Sequence, residues 1–129
     1  MLLKNFQAAL VVVPLVLTLP TLAALGAEAP RFISVIEDLP LMTGLNEVGE
    51  GVQFSTAQGR IAEVTTTGTI SKATVLVFYE STLPQLGWTR VGRGRFTRED
   101  ETLELVFEGA APNLSVRFAL APVFQKNKP

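Results

Sequence analysis

The chain contains no cysteine and no histidine. Without cysteine there can be no disulfide, no thiolate nucleophile, no zinc–thiolate site and no lipid-anchoring cysteine. Without histidine the usual general base near neutral pH is missing, and so is the commonest transition-metal ligand. An excess of charge of one sign is missing too, since 11 Lys and Arg stand against 12 Asp and Glu. That balance does not supply the basic surface that non-specific nucleic-acid binding requires. No phosphate-binding loop, dinucleotide fingerprint or G-x-S-x-G nucleophile elbow occurs anywhere in the 129 residues.

The side chains that could still do chemistry are arranged unfavourably. Carboxylates cluster at Glu37-Asp38 and at Glu99-Asp100-Glu101. Neighbours within one turn cannot stand on opposite sides of a sugar, as a glycosidase pair must. Neither run has the alternating oxygen ligands and closing Glu of a calcium loop. Ser71 and Lys72 are adjacent, but a lysine following a helix N-cap is solvated and poorly placed to act as a base. No catalytic, cofactor or metal site is therefore expected. An enzyme would need two carboxylates converging from distant segments, for example Glu37 or Glu63 meeting Glu104.

The one long apolar run is at the start. Lys4 supplies a positive charge, no side chain from Ala8 to Ala27 is charged, and small residues follow at Ala24, Gly26, Ala27 and Ala29. Residues 1–27 read as a secretory signal peptide cleaved near Ala27. The same run is long enough to span a bilayer uncleaved, but Pro14 and Pro20 weaken a straight span. The expectation is a periplasmic or secreted protein that meets the membrane only through its leader, with an inner-membrane anchor as the alternative.

The remainder has the length of one domain, and its core must hold without a disulfide. Residues 28–50 form a lead-in strap with Phe32, Ile33, Val35, Ile36, Leu39, Leu41, Met42 and Leu45. Pro40 breaks it, because proline has no N–H and restricts Leu39. An α+β domain is expected over 51–122, and 123–129 read as a frayed tail. Gly51–Thr56 alternates, with Val52 and Phe54 on one face. Ala57-Gln58-Gly59 is a turn, and the Val-, Ile- and Thr-rich Gly59–Ile70 completes a hairpin. Ile61 and Val64 fall on opposite faces of that second strand, so a bulge or burial on both faces is needed.

Ser71 to Trp88 has helical spacing. Ser71 is a suitable N-cap, its hydroxyl accepting from a free N–H one turn on. Val75, Leu76, Phe78, Tyr79, Thr82, Leu83 and Leu86 fall on one side at 100° per residue, with Val77 off that stripe. Burying such a stripe is worth on the order of 10 kcal/mol before entropy. Pro84 lies on the polar side and predicts a kinked last turn, and Gly87 a left-handed C-cap.

A meander follows, with strands at Trp88–Val91, Arg95–Arg98, Thr102–Glu108 and Leu114–Leu120. Matching inward faces pairs Phe96 with Leu103 and Arg95 with Glu104. The same rule pairs Phe107 with Leu114, which would set Glu104 opposite Arg117. The expected fold is one main helix, about 72–86, on an antiparallel sheet of five or six strands in the order β-β-α-β-β-β-β.

The residues Val77-Phe78-Tyr79, Leu83, Leu86 and Gly87-Trp88 resemble a pattern found in small exported bacterial domains of unknown function. In those a "FY…L…GW" helix follows a strand pair and precedes an antiparallel meander. Asp38-Leu39-Pro40-Leu41-Met42 with Gly44 is similar to their lead-in. The resemblance covers roughly Leu39 to Pro122 and implies an α+β domain in a cell-envelope setting. It brings no catalytic residues. The candidate binding residues are Arg90, Arg93, Arg95 and Arg98 on the first meander hairpin, since guanidinium forks grip oxyanions. Acids close in sequence, Glu99, Asp100, Glu101 and Glu104, could instead neutralise them. The expectation is a non-catalytic envelope binding or accessory module, its partner an envelope protein or an anionic ligand.

Overall fold

The computed structural model describes residues 9–14, 26 and 28–124. Most of the leader and residues 125–129 of the tail lie outside the described residues, and the readings made for them stay expectations. Among the described residues no helix is long and apolar enough to cross a membrane.

Among the described residues, eight strands and one α-helix follow Pro30. They are β1 (Phe32–Ile33), β2 (Ile36–Pro40), β3 (Leu45–Thr56), β4 (Gly59–Gly68), α1 (Lys72–Thr82), β5 (Thr89–Gly92), β6 (Arg95–Arg98), β7 (Glu101–Glu108) and β8 (Leu114–Pro122). The molecule is α+β, mainly antiparallel sheet with one helix. The expected chain order β-β-α-β-β-β-β is corrected to β-β-β-β-α-β-β-β-β, because the lead-in contributes two strands of its own. Ile33, Ile36 and Leu39 are each at most 1% exposed. Burying them leaves backbone groups that need partners, and antiparallel pairing of β1 with β2 supplies those partners.

The second sheet has six strands in the order β3-β4-β8-β7-β6-β5. One face carries Ala62, Val64, Leu103, Leu105, Leu114, Val116, Phe118 and Leu120, all buried. Helix α1, the 3₁₀ turn that follows it and the β1–β2 hairpin pack on this face through Val75, Tyr79, Leu83, Ile33, Ile36 and Leu39, forming one core. The other face has no covering element among the described residues. It carries Glu63, Thr65, Arg117, Ala119, Glu104 and Arg95 at half-buried or exposed positions. The ambiguity of β4 resolves in favour of Ala62, Val64 and Thr66 as the inward set, with Thr66 Oγ1 donating to the Val116 carbonyl at 3.0 Å. The bulge lies on the partner strand, where the ladder shifts between Val48 and Val52. Gly51 belongs to it because a Cβ there would stand 2.6 Å from the Val35 side chain.

Helix α1 is capped by Ser71, whose hydroxyl accepts from the Thr74 N–H at 3.2 Å. Its last turn is not a kinked α turn. It tightens into a 3₁₀ turn over Leu83–Leu86, because Pro84 has no N–H to return to the Glu80 carbonyl. Gly87 then takes the left-handed conformation at φ 88°. Leu86, expected in the buried stripe, is carried outward by the tighter turn and is exposed.

In the meander, Phe96 pairs with Leu103 and Arg95 with Glu104. The next register differs from expectation by two residues, with Phe107 opposite Val116 and Glu104 opposite Ala119. A shift of two keeps every side chain on its own face, so the inward pattern alone could not exclude it. The connection is longer than the shortest one, Gly109 taking φ 72° and Ala111–Pro112 being cis. Arg117 consequently bonds Glu63 on β4 at 3.0 Å and not Glu104.

Candidate functional site

The four arginines of the β5–β6 hairpin are directed to different partners. Arg90 pairs with Glu80 on α1 at 3.2 Å, and Arg95 with Glu104 on β7 at 3.2 Å. Arg98 turns to the end of the sheet. There it pairs with Asp38 of β2, approaches Glu101 at 4.0 Å, and donates to the Leu86 carbonyl at 3.2 Å. Its guanidinium lies 4.3 Å from the centre of the Trp88 ring, a stacked cation–π contact. Arg93 makes no ion pair among the described residues and is exposed.

Arg98 belongs to a network at one end of the sheet. Arg60 of β4 grips Glu101 of β7 through two bonds, at 2.6 and 3.3 Å, and reaches Asp38 at 3.8 Å. The hydrogen bond to Glu101 raises the Arg60 pKa above its usual value, against the opposing effect of burial. Two guanidiniums and two carboxylates thus neutralise one another, and the network binds β2, β4, β6 and β7 together. The Trp88 indole N–H beside it is buried and has no partner among the described residues.

Lys72 and Arg93 are brought together at a different place. Strand β6 pairs with β7 only from Glu101 to Glu104, and β7 runs on past its end. The opening left between β7 and the first turn of α1 is a cleft of about 240 Å³ lined by Lys72, Leu76, Arg93, Glu104, Leu105, Val106 and Phe107. The Lys72 ammonium stands 5.0 Å above the Phe107 ring, and Lys72 also makes no ion pair among the described residues. Glu104, the one acid in the lining, is already held by Arg95. The cleft therefore offers two unneutralised cations beside an apolar wall. From its place after the N-cap alone, Lys72 is a solvated helix residue. Its approach to Arg93, 21 positions on, is a product of the fold.

Other features are less suited to chemistry. Glu63 and Glu104 lie in one row across the bare face, on either side of Ala119. Ladder spacing puts their backbones about 10 Å apart, and each carboxylate is tied to a guanidinium on an open surface. A larger depression of about 640 Å³ is lined by Gly44, Asn46, Thr67, Gly68, Thr69 and the start of β8, with no charged residue. Among the described residues no group of three or more acidic side chains is arranged to hold a metal ion.

Compared with family models, curated proteins and solved structures, the chain matches none. Its site is therefore read from its own geometry, in which the cleft of Lys72 and Arg93 has charge to offer and the arginine network has spent its own.

Proposed function

We propose that the chain is an exported, non-catalytic binding module of the bacterial cell envelope, and that the cleft of Lys72 and Arg93 receives an anionic group carried on an apolar body. One observation carries this reading. Five of the eight described cations are in ion pairs, and Arg31 is committed to the Leu45 carbonyl and the Asn46 side chain. The remaining two, Lys72 and Arg93, line one cleft together with Leu76, Leu105 and Phe107. A guanidinium can take two oxygens of a phosphate or carboxylate, and an ammonium a third as a point charge. The apolar wall suits a hydrocarbon portion next to the charged group.

Titrations with inorganic phosphate, an alkyl phosphate and vesicles containing anionic lipid test the reading and separate its possible sources. The alkyl phosphate is expected to bind more tightly than phosphate alone. The variant carrying both Lys72→Ala and Arg93→Ala should lose tenfold or more, about 1.4 kcal/mol. Equal binding by wild type and variant would reject the site. The exported setting rests on residues 1–27 and on the resemblance to exported domains. Sequencing the N-terminus of protein from the envelope fraction should find a start near Glu28, whereas a start at Met1 would make the domain membrane-tethered.

A further inference from the structure

Strand β3 is the end strand of the six-stranded sheet, and its outer edge has no strand partner among the described residues. The two halves of that edge differ. Near its start, Arg31 donates to the Leu45 carbonyl at 2.9 Å and the Glu47 carboxylate accepts from the Ser34 N–H at 2.7 Å. The bulge then follows, with Gly49 at φ 69° and Glu50 exposed. Lead-in contacts, a bulge and a charge are the devices by which natural sheets blunt an edge. Beyond the bulge they stop. Val52, Gln53, Phe54, Ser55 and Thr56 run in regular register with β4. Val52 is 56% and Phe54 51% exposed, both on the bare face of the sheet.

We propose that this half-edge pairs antiparallel with the same segment of a second copy, about a twofold axis at Gln53. In that register Val52 lies opposite Phe54 of the partner subunit, and Phe54 opposite Val52 of the partner subunit. Each β-branched residue thus meets an aromatic one, a favourable cross-strand pair. The register also keeps the bare faces of both sheets on one side. Charge agrees with it: Glu50 lies in the bulge three residues from the axis, so the two Glu50 side chains stand roughly 15–20 Å apart, beyond the screening length at physiological salt. Gln53 and Ser55, on the opposite face, are exposed and do not block the approach. The contact is isologous, so it closes at two copies and does not propagate. The other sheet edge, β5, is four residues long and cannot match a segment of this length.

The absence of cysteine from the native chain makes the register directly testable. Gln53→Cys and Ser55→Cys are each introduced into the full-length protein and oxidised in whole cells with copper phenanthroline. Residues opposite each other across an antiparallel pair have Cα atoms about 4.5–5.5 Å apart, within disulfide reach. The Gln53 variant should cross-link to a dimer, and the Ser55 variant, whose two cysteines would stand about 13 Å apart along the strands, should not. Both carry the same leader, so any contribution from it cancels. Sedimentation of the purified protein should show a monomer–dimer equilibrium, and Phe54→Lys should weaken it by about tenfold or more. Equal cross-linking of the two cysteine variants would overturn the proposal. So would a monomer at every accessible concentration, or a dimer indifferent to Phe54→Lys.

Discussion

Tyr79 is where helix α1 and the lead-in hairpin are fastened together. Its ring is fully buried and meets Phe118 edge-on at 5.2 Å. Its hydroxyl donates to the Pro40 carbonyl at 2.9 Å and accepts from the Met42 N–H at 3.1 Å. Tyr79→Phe keeps the ring but strands both backbone groups, at an expected cost of about 1–3 kcal/mol. Urea unfolding followed by the fluorescence of Trp88, the sole tryptophan, measures it. Burial pushes the phenol up to about 12, whereas an unfolded tyrosine titrates near 10. Between those values the folded chain keeps a proton that the unfolded chain has released. The stabilisation is therefore complete below about pH 10 and is lost as pH rises towards 12. Wild type should lose on the order of 2–3 kcal/mol over that window relative to the Phe variant. Parallel pH profiles for the two would refute the assignment. Helical spacing places Tyr79 on the buried stripe. Its partners, 37 and 39 positions away, could not be read.

At the scale of elements, what was legible depended on how local the deciding interaction is. The Ser71 cap, the Gly87 end and the stripe as far as Leu83 are fixed by neighbours within a turn and stand where spacing puts them, whereas Leu86 is turned outward by the 3₁₀ turn. The β6–β7 pairing has only the two-residue turn Glu99-Asp100 to accommodate it, so matching inward faces sufficed. The β7–β8 pairing has a longer loop, and two registers satisfy the same pattern. Strand β3 begins at Leu45, six residues before the alternating stretch that announces it. Asn46-Glu47-Val48-Gly49-Glu50 is poor in strand formers, and pairing with β4 overrides that local preference. The four arginines are adjacent along the chain, yet Glu80 on α1 and Asp38 on β2 draw two of them to different elements. The cap gives a clean test at this scale. Ser71→Ala should cost about 1 kcal/mol, which lowers the thermal midpoint by roughly 4–8 °C in a domain of this size. An unchanged midpoint by circular dichroism would mean that the hydroxyl contributes nothing to the helix end.

For the whole molecule, the open question is what holds the lead-in hairpin against the sheet. Two interactions compete for the answer. The polar one is the network of Asp38, Arg60, Arg98 and Glu101, which the hairpin joins through Asp38, and the Asp38 and Arg98 side chains remain 47% and 21% exposed. Partly solvated pairs contribute little, because water already stabilises the separated ions and salt screens the joined ones. The apolar interaction is Leu39, 1% exposed, with Ile33 and Ile36 beside it. Truncating a buried leucine loses its transfer energy and leaves a cavity, together about 2–5 kcal/mol. Burial should therefore dominate, with the network setting position more than strength. A double-mutant cycle on Asp38→Ala and Arg98→Ala, the pair that joins the hairpin to the sheet, should give a coupling of about 1 kcal/mol or less. That coupling should shrink further in ~1 M salt, where the screening length is about 3 Å. Leu39→Ala should shift the urea midpoint several times further, and salt should leave that shift almost unchanged. If the cycle instead gave the larger value, the hairpin would be held chiefly by its charges, and raising the salt alone should then loosen it from the sheet.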